Sequence, residues 1–146
     1  MNTIASAMAE HHVRCDALFA GAEADAEQSR WEQAVLQFTR FREELERHFQ
    51  AEETVLFPAF ESATGILTGP TTVMRQEHER MRALLDQVDF SLSAHDADRL
   101  DGYSATLLIL MQQHNVKEET VLYPMCDSAL GDRASELLHR LNLGSD

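Results

Sequence analysis

Apolar and polar positions recur along this chain with the period of a helix, not of a strand. The first segment carries Ala5, Met8, His12, Cys15, Phe19 and Ala22 on one stripe. The second carries Ala34, Phe38, Phe41, Leu45, His48, Glu52, Val55 and Ala59, the third Met74, His78, Met81, Leu85, Val88 and Leu92, the fourth Leu107, Met111, His114, Glu118, Val121 and Met125. Steps of three and four make each set one face of a helix packed on its neighbours. Ser29-Arg30-Trp31-Glu32 has the spacing of a capping box opening the second helix, with the Trp31 indole stapling its start. Gly69-Pro70 suits the start of the third helix and Asp96 can cap the fourth. Gly65 and Gly131 fall where helices should end, and Pro58 and Pro124 should kink or break a helix about two turns earlier. The pattern predicts helices near 3–26, 30–62, 70–94 and 97–128. A short fifth helix carries Leu137, Leu138 and Leu141, with Asp132 as its candidate cap. Short loops imply an all-α, up-down four-helix bundle with a short C-terminal fifth helix, one domain over residues 1–146.

The chain also repeats itself at an offset of 66 residues, without a gap. His48-Phe-Gln-Ala-Glu52-Glu-Thr-Val-Leu-Phe-Pro58 lies over His114-Asn-Val-Lys-Glu118-Glu-Thr-Val-Leu-Tyr-Pro124. The same shift places Met8 on Met74, His12 on His78, Arg14 on Arg80, Leu18 on Leu84 and Gly65 on Gly131. Two copies of one helical hairpin are expected.

The stripes contain six residues that do not belong in an ordinary core: His12, His48, Glu52, His78, His114 and Glu118. A carboxylate in an apolar interior costs several kcal/mol unless paired. Each Glu stands one turn after a His on the same face, since i and i+4 are neighbours on a helix. The repeat sets the two pairs on related helices, and the other two helices each add one His at a matching level. A single HxxxE is most often an exposed pair. Two on apolar stripes, each matched by a seam histidine, point to metal. Neutral imidazoles and ionised carboxylates are ligands for Fe, Mn, Zn or Cu. Four His and two Glu divide into two metals with two His each and both Glu bridging, which leaves room for a small exogenous ligand.

Residues beside these six receive plainer assignments. The offset and the helical phase both choose His12 over His11, so His11 is expected in solvent with His95 and His139. Glu53 and Glu119 point about 100° away from the bridging candidates and read as surface charge. Arg14 and Arg80 read as outer-face ion-pair partners. Cys15 and Met81, each near a seam His, read as core filler, the sharper alternative being a redox-active thiol at Cys15. Tyr123 and Phe57 coincide under the shift, so packing is expected of both.

Composition narrows the function classes. The 146 residues are 44% hydrophobic and 25% charged, with only 6 Gly and 3 Pro, an ordinary globular profile. Twelve Lys+Arg against 25 Asp+Glu give a net charge of −13, a field that repels nucleic-acid backbones and anionic membranes and attracts cations. No apolar run approaches a membrane span, and residues 1–12 lack the look of a secretory signal. Two isolated cysteines make no disulfide framework, so the expected location is a reducing cytoplasm.

One His on the first helix, HxxxE on the second, one His on the third and HxxxE on the fourth resemble the hemerythrin-like HHE cation-binding domain. The resemblance runs from His12 to Pro124. It implies a four-helix bundle around a non-heme diiron centre, oxo- or hydroxo-bridged. One iron would take His12 and His48, the other His78 and His114, with Glu52 and Glu118 bridging. Oxygen-carrying hemerythrins have a second His one turn after the third-helix His, where this chain has Arg82, and an Asp five residues after the fourth-helix His, where this chain has Glu118 at four. The 4-His/2-Glu set is more similar to the diiron domain of repair-of-iron-centres proteins, although this chain has no room for their cysteine-bearing extra domain. The resemblance implies a protein that binds or senses dioxygen, nitric oxide or a related small oxidant. The alternatives are an iron donor or reservoir for damaged iron centres, a diiron oxidase or peroxidase, and a binuclear zinc or manganese protein.

Overall fold

The computed structural model describes residues 2–143. Helix α1 covers Ile4–Glu27 and α2 covers Trp31–Ala51. One wide π turn, Glu52–Leu56, carries α2 without a break into α3, Phe57–Thr64. Helices α4, Pro70–Ser93, and α5, Ala97–Lys117, follow. A second π turn, Glu118–Leu122, leads into α6, Tyr123–Leu130. After the 3-10 turn Gly131–Arg133 comes α7, Ala134–Leu141. No strand is present among the described residues, and no helix is long and apolar enough to cross a membrane. Helix α1 packs along α2, α4 packs along α5, and α2 also meets α4.

Local chemistry explains the ends. The side chains and backbones of Thr3 and Ser6 cap each other at the start of α1, and the Asp127 carboxylate accepts from the Ile4 and Ala5 amides at 2.9 and 3.1 Å. Asp96 caps α5 by accepting from the Arg99 amide at 3.1 Å. Gly65 ends α3 in the left-handed conformation, φ 74°. Three punctuation marks act otherwise than the sequence suggests. Ser29 does not cap α2. It is itself left-handed, φ 56°, and its amide bonds back to Ala26 to close α1, leaving Arg30 at the head of α2 with no side-chain cap. Trp31 stacks on His95, whose ring is 5.0 Å away. Gly131 keeps a right-handed helical conformation and runs directly into the 3-10 turn, and Asp132 makes no cap for α7, which begins after Arg133.

The prolines do not break the helical path, and each follows a π turn. In each π turn the closing bond spans five residues, from the Phe57 amide to the Glu52 carbonyl and from the Tyr123 amide to the Glu118 carbonyl. Pro58 and Pro124 follow directly, in the first turns of α3 and α6, where the hydrogen-bond register has just changed. The extra residue slides the inward face along the chain. Leu56 and Phe57 are buried while Val55 is only partly so. Leu122, Tyr123 and Cys126 are buried, Met125 is partly exposed and Val121 is exposed.

The interior has three layers. One apolar cluster joins Phe19, Phe38, Phe41, Leu45, Phe49, Met81, Leu85, Leu107 and Met111. Another joins Ile4, Met8, Leu56, Phe57, Phe60, Met74, Leu122, Tyr123 and Leu137. His12 lies in sequence between Met8 and Cys15, His48 between Leu45 and Ala51, and His78 between Met74 and Met81. The polar residues thus fall in a seam between the two clusters.

Candidate metal centre

The structure brings all six candidate residues together. Their exposures are 4% for His12, 1% for His48, 2% for His114 and zero for Glu52, His78 and Glu118. Donor atoms of Glu52, His78, His114 and Glu118 lie within 4.8 Å of one another, and so do those of His12, His48 and Glu118. Glu118 is common to both groups, and Glu52 belongs only to the first.

Every imidazole has the same orientation. Each Nε2 faces inward: His12 is 3.1 Å from Glu118 Oε1, His78 is 3.0 Å from Glu52 Oε1, His114 is 3.2 Å from Glu118 Oε1 and His48 is 3.6 Å from Glu52 Oε2. Each Nδ1 faces outward onto a second group. His12 Nδ1 meets Glu119 at 2.6 Å, His78 Nδ1 meets Glu53 at 2.6 Å and His114 Nδ1 meets Glu77 at 2.8 Å. These carboxylates only accept, so in the neutral ring each fixes the proton on Nδ1 and leaves Nε2 with a bare lone pair. Arg82, on α4, holds Glu53 and Glu46 at 3.0 and 2.8 Å, and Lys117 pairs with Glu77. Glu53 and Glu119 are therefore the outer props of two seam histidines and not merely surface charge.

His11 is buried, 1% exposed, where the sequence places it in solvent. Its Nδ1 is 2.8 Å from His48 Nδ1, and its Nε2 is 2.8 Å from Glu44 Oε2. Burial, and then the neighbouring His48, push His11 down to about 4, so it is neutral near pH 7. His95 and His139 are exposed.

Tyr123 departs from its expected packing role. Its hydroxyl lies 2.6 Å from Glu52 Oε2, 2.8 Å from Glu118 Oε1, 3.1 Å from His48 Nε2 and 3.3 Å from His12 Nε2. One phenol proton cannot serve both carboxylates. Burial and the two carboxylates push this phenol far above its ordinary range. Phe57, its counterpart 66 residues earlier, packs on His78 with rings 5.9 Å apart. Cys15 is buried, its Sγ is 3.9 Å from His11 Nδ1, and burial pushes the thiol up to about 12. A protonated thiol fits the core-filler assignment.

The donor set fits metal ions by a direct test. Among the described residues, five buried side-chain polar atoms lack a hydrogen bond, and four are Glu52 Oε1, His78 Nε2, His114 Nε2 and Glu118 Oε2. His78 Nε2 and Glu52 Oε1 are close but misaligned for a hydrogen bond. Such orphans cost about 1–3 kcal/mol each, more when charged, unless something else satisfies them. Charge balance points the same way. Although burial opposes it, Glu118 and Glu52 raise His12 and hold His114 up to about 9. Burial also disfavours the charged form of Glu52, but His48, Glu118 and His78 together outweigh it and keep that carboxyl well below its usual range. Buried carboxylates thus draw protons onto the imidazoles wherever no cation neutralises them.

A helical protein with four imidazoles and two carboxylates converging in a sealed layer belongs to the class of metal-binding helical proteins. The chain is a member of the hemerythrin HHE cation binding domain family, whose profile matches residues 3–126. Over an alignment of 83 residues, covering 53% of the chain, it is 36% identical to uncharacterised proteins of Mycobacterium bovis and Mycobacterium tuberculosis. That alignment covers 32% of those proteins, so the match spans about a third of the curated relatives' length. No solved structure matches the chain significantly.

Proposed function

We propose that this chain is a single-domain non-heme diiron protein that binds or senses dioxygen, nitric oxide or a related small oxidant. The observation that carries the proposal is the presence of two inward donor groups that share Glu118, the larger of which holds four orphaned polar atoms. One iron is assigned to His12, His48 and Glu118, the other to His78, His114, Glu52 and Glu118. The fold is taken as an up-down four-helix bundle of two repeated hairpins, with α7 as its short fifth helix. A pair of irons supplies redox change and open coordination positions for a small molecule. The chain supplies four Nε2 lone pairs, held bare by protons fixed at Nδ1. Its apolar layers keep bulk water from the centre. Exposure of no more than 4% at any of the six residues speaks against a bulky substrate. The unpaired, buried Cys15 and Cys126 suit a reducing compartment such as the cytoplasm.

The test is metal analysis of protein purified without added metal, with absorption spectra under air and under nitrogen. Two irons per chain and a near-ultraviolet absorption that changes between the two atmospheres are expected. A firm content of one metal, or of zinc alone, overturns the diiron proposal. Iron lost to a chelator on exposure to nitric oxide would replace the sensor with an iron donor.

A further inference from the structure

Three of the four seam histidines rest their Nδ1 on a carboxylate, and His48 rests its own on another imidazole. Glu77, the partner of His114, stands 66 residues after His11, the partner of His48. The two are therefore the same position of the repeated sequence, filled once by an acid and once by an imidazole.

The His11–His48 contact is directional. The two Nδ1 atoms are 2.8 Å apart, the rings are parallel within 5°, and their centroids are 5.0 Å apart. Rings so placed meet edge to edge, in the geometry of a hydrogen bond and not of a face-to-face stack. Glu44 only accepts, so His11 Nε2 donates to it. A neutral imidazole carries one N–H, so His11 Nδ1 must accept. The proton between the two rings then belongs to His48 Nδ1, and His48 Nε2 is left bare toward Glu52 and Tyr123. Glu44, itself partly exposed and paired with Arg47 at 2.8 Å, sets the direction of the whole chain of bonds.

We infer that His11 is the positioning residue of His48: through the relay Glu44–His11–His48 it fixes the tautomer and aim of the Nε2 that faces the metal centre. This rests on the metal-centre proposal above. A merely space-filling His11 would leave the tautomer of His48 unset, because His48 Nδ1 has no other hydrogen-bond partner among the described residues.

The experiment uses the full chain: nitrogen NMR of labelled histidines reads each tautomer in the metal-free protein, before a metal at Nε2 can set it, and zinc affinity is measured separately by chelator competition. In the unsubstituted chain His48 should carry its proton on Nδ1 and His11 on Nε2. His11→Leu should abolish the single Nδ1–H signature of His48, leave His12, His78 and His114 unchanged, and weaken the more labile zinc about 10- to 100-fold. His11→Gln, which can accept from His48 and donate to Glu44, should restore the signature and bring affinity back to within about threefold of the unsubstituted chain. Glu44→Ala, at a partly exposed position, provides a second handle should His11→Leu fail to fold, and it should let His11 sample both tautomers. Unchanged His48 signals and unchanged zinc affinity in the His11 and Glu44 variants would overturn the inference while leaving the metal centre standing. A chain that takes up no metal at all would overturn both.

Discussion

The two halves of the polar layer are built from equivalent positions and yet are unlike. On one side His78 and His114 converge with Glu52 and Glu118, and Phe49 and Phe57 wall the site with bare rings, 3.9 and 5.9 Å from the His78 ring. On the other His12 and His48 share only Glu118, and Tyr123 brings a hydroxyl where Phe57 has none. The outer props differ at the same register, Glu77 on one side and His11 with Glu44 behind it on the other. The two donor groups thus become unlike through one residue inside the layer and one outside it.

The largest effect is expected from the residue both halves use. Glu118→Ala should lower metal content from the proposed pair to about none, because it removes a charged donor from each group at once and leaves imidazoles uncompensated. Elemental analysis of the purified variant checks this, and full retention of one metal would show that the halves are not joined through Glu118. A smaller effect distinguishes the halves in the unsubstituted chain. Three ligand residues hold less firmly than four, so chelation should proceed in two phases, about 10- to 100-fold apart. His48→Ala should remove the fast phase and His114→Ala the slow one. A single phase would mean that the asymmetry has no energetic consequence.

Proton uptake should separate the halves in the metal-free chain. His114 is held up to about 9 from an ordinary 6.5, because Glu118 and Glu52 outweigh the burial that opposes protonation. The folded chain keeps this proton where the unfolded chain has lost it. The stabilisation is complete below about pH 6.5 and is lost as pH rises through about 9. His11 runs the other way. Burial and His48 hold it down to about 4, so its contribution is present above about 6.5 and is lost as pH falls toward 4. Melting temperature against pH with a chelator present should therefore fall on both flanks. Metal should erase the alkaline loss, since it takes the place of the His114 proton. His11→Gln should flatten the acid flank and spare the alkaline one. Identical flanks in that variant and the unsubstituted chain would contradict the assignment.

The sequence carried the helices and the six inward residues because both depend on a regular period. Spacing of three and four marks a buried face wherever the backbone is α-helical, and the 66-residue offset chose His12 over His11 without reference to contacts. What escaped lies where that period is interrupted or where depth matters more than direction. Residues 118 and 123 lie on different faces of an α-helix, but the π turn Glu118–Leu122 sets Tyr123 over Glu118 through a five-residue bond. Extending the α period through that turn favours Val121 and Met125 as core, and these are the positions the turn moves outward. Two prolines, each six residues after the Glu of an HxxxE motif, were the signal that a regular α-helix could not simply continue. His11 escaped for another reason. It lies off the stripe of α1, but α2 packs along that flank and covers it. Helical phase gives the direction of a side chain, and only the neighbouring helix determines whether that direction leads to water.

The smallest of these effects concerns the one hydroxyl that distinguishes the halves from within. Tyr123→Phe makes the ring identical to that of Phe57 and removes only the oxygen. In the metal-free chain Glu52 and Glu118 then lose the phenol donor between them, at 2.6 and 2.8 Å, and stability should fall by about 1–3 kcal/mol. In the metal-loaded chain the cations already compensate both carboxylates, so the same substitution should cost less than about 1 kcal/mol. Chemical denaturation of the two proteins, each with metal and with chelator, gives four stabilities and hence the coupling between hydroxyl and metal. A penalty equal in the two states would mean that the hydroxyl and the cations act on the carboxylates independently. A penalty larger in the loaded state would mean that the phenol oxygen itself supports a metal, and the three-residue half would then have as many ligand residues as the other.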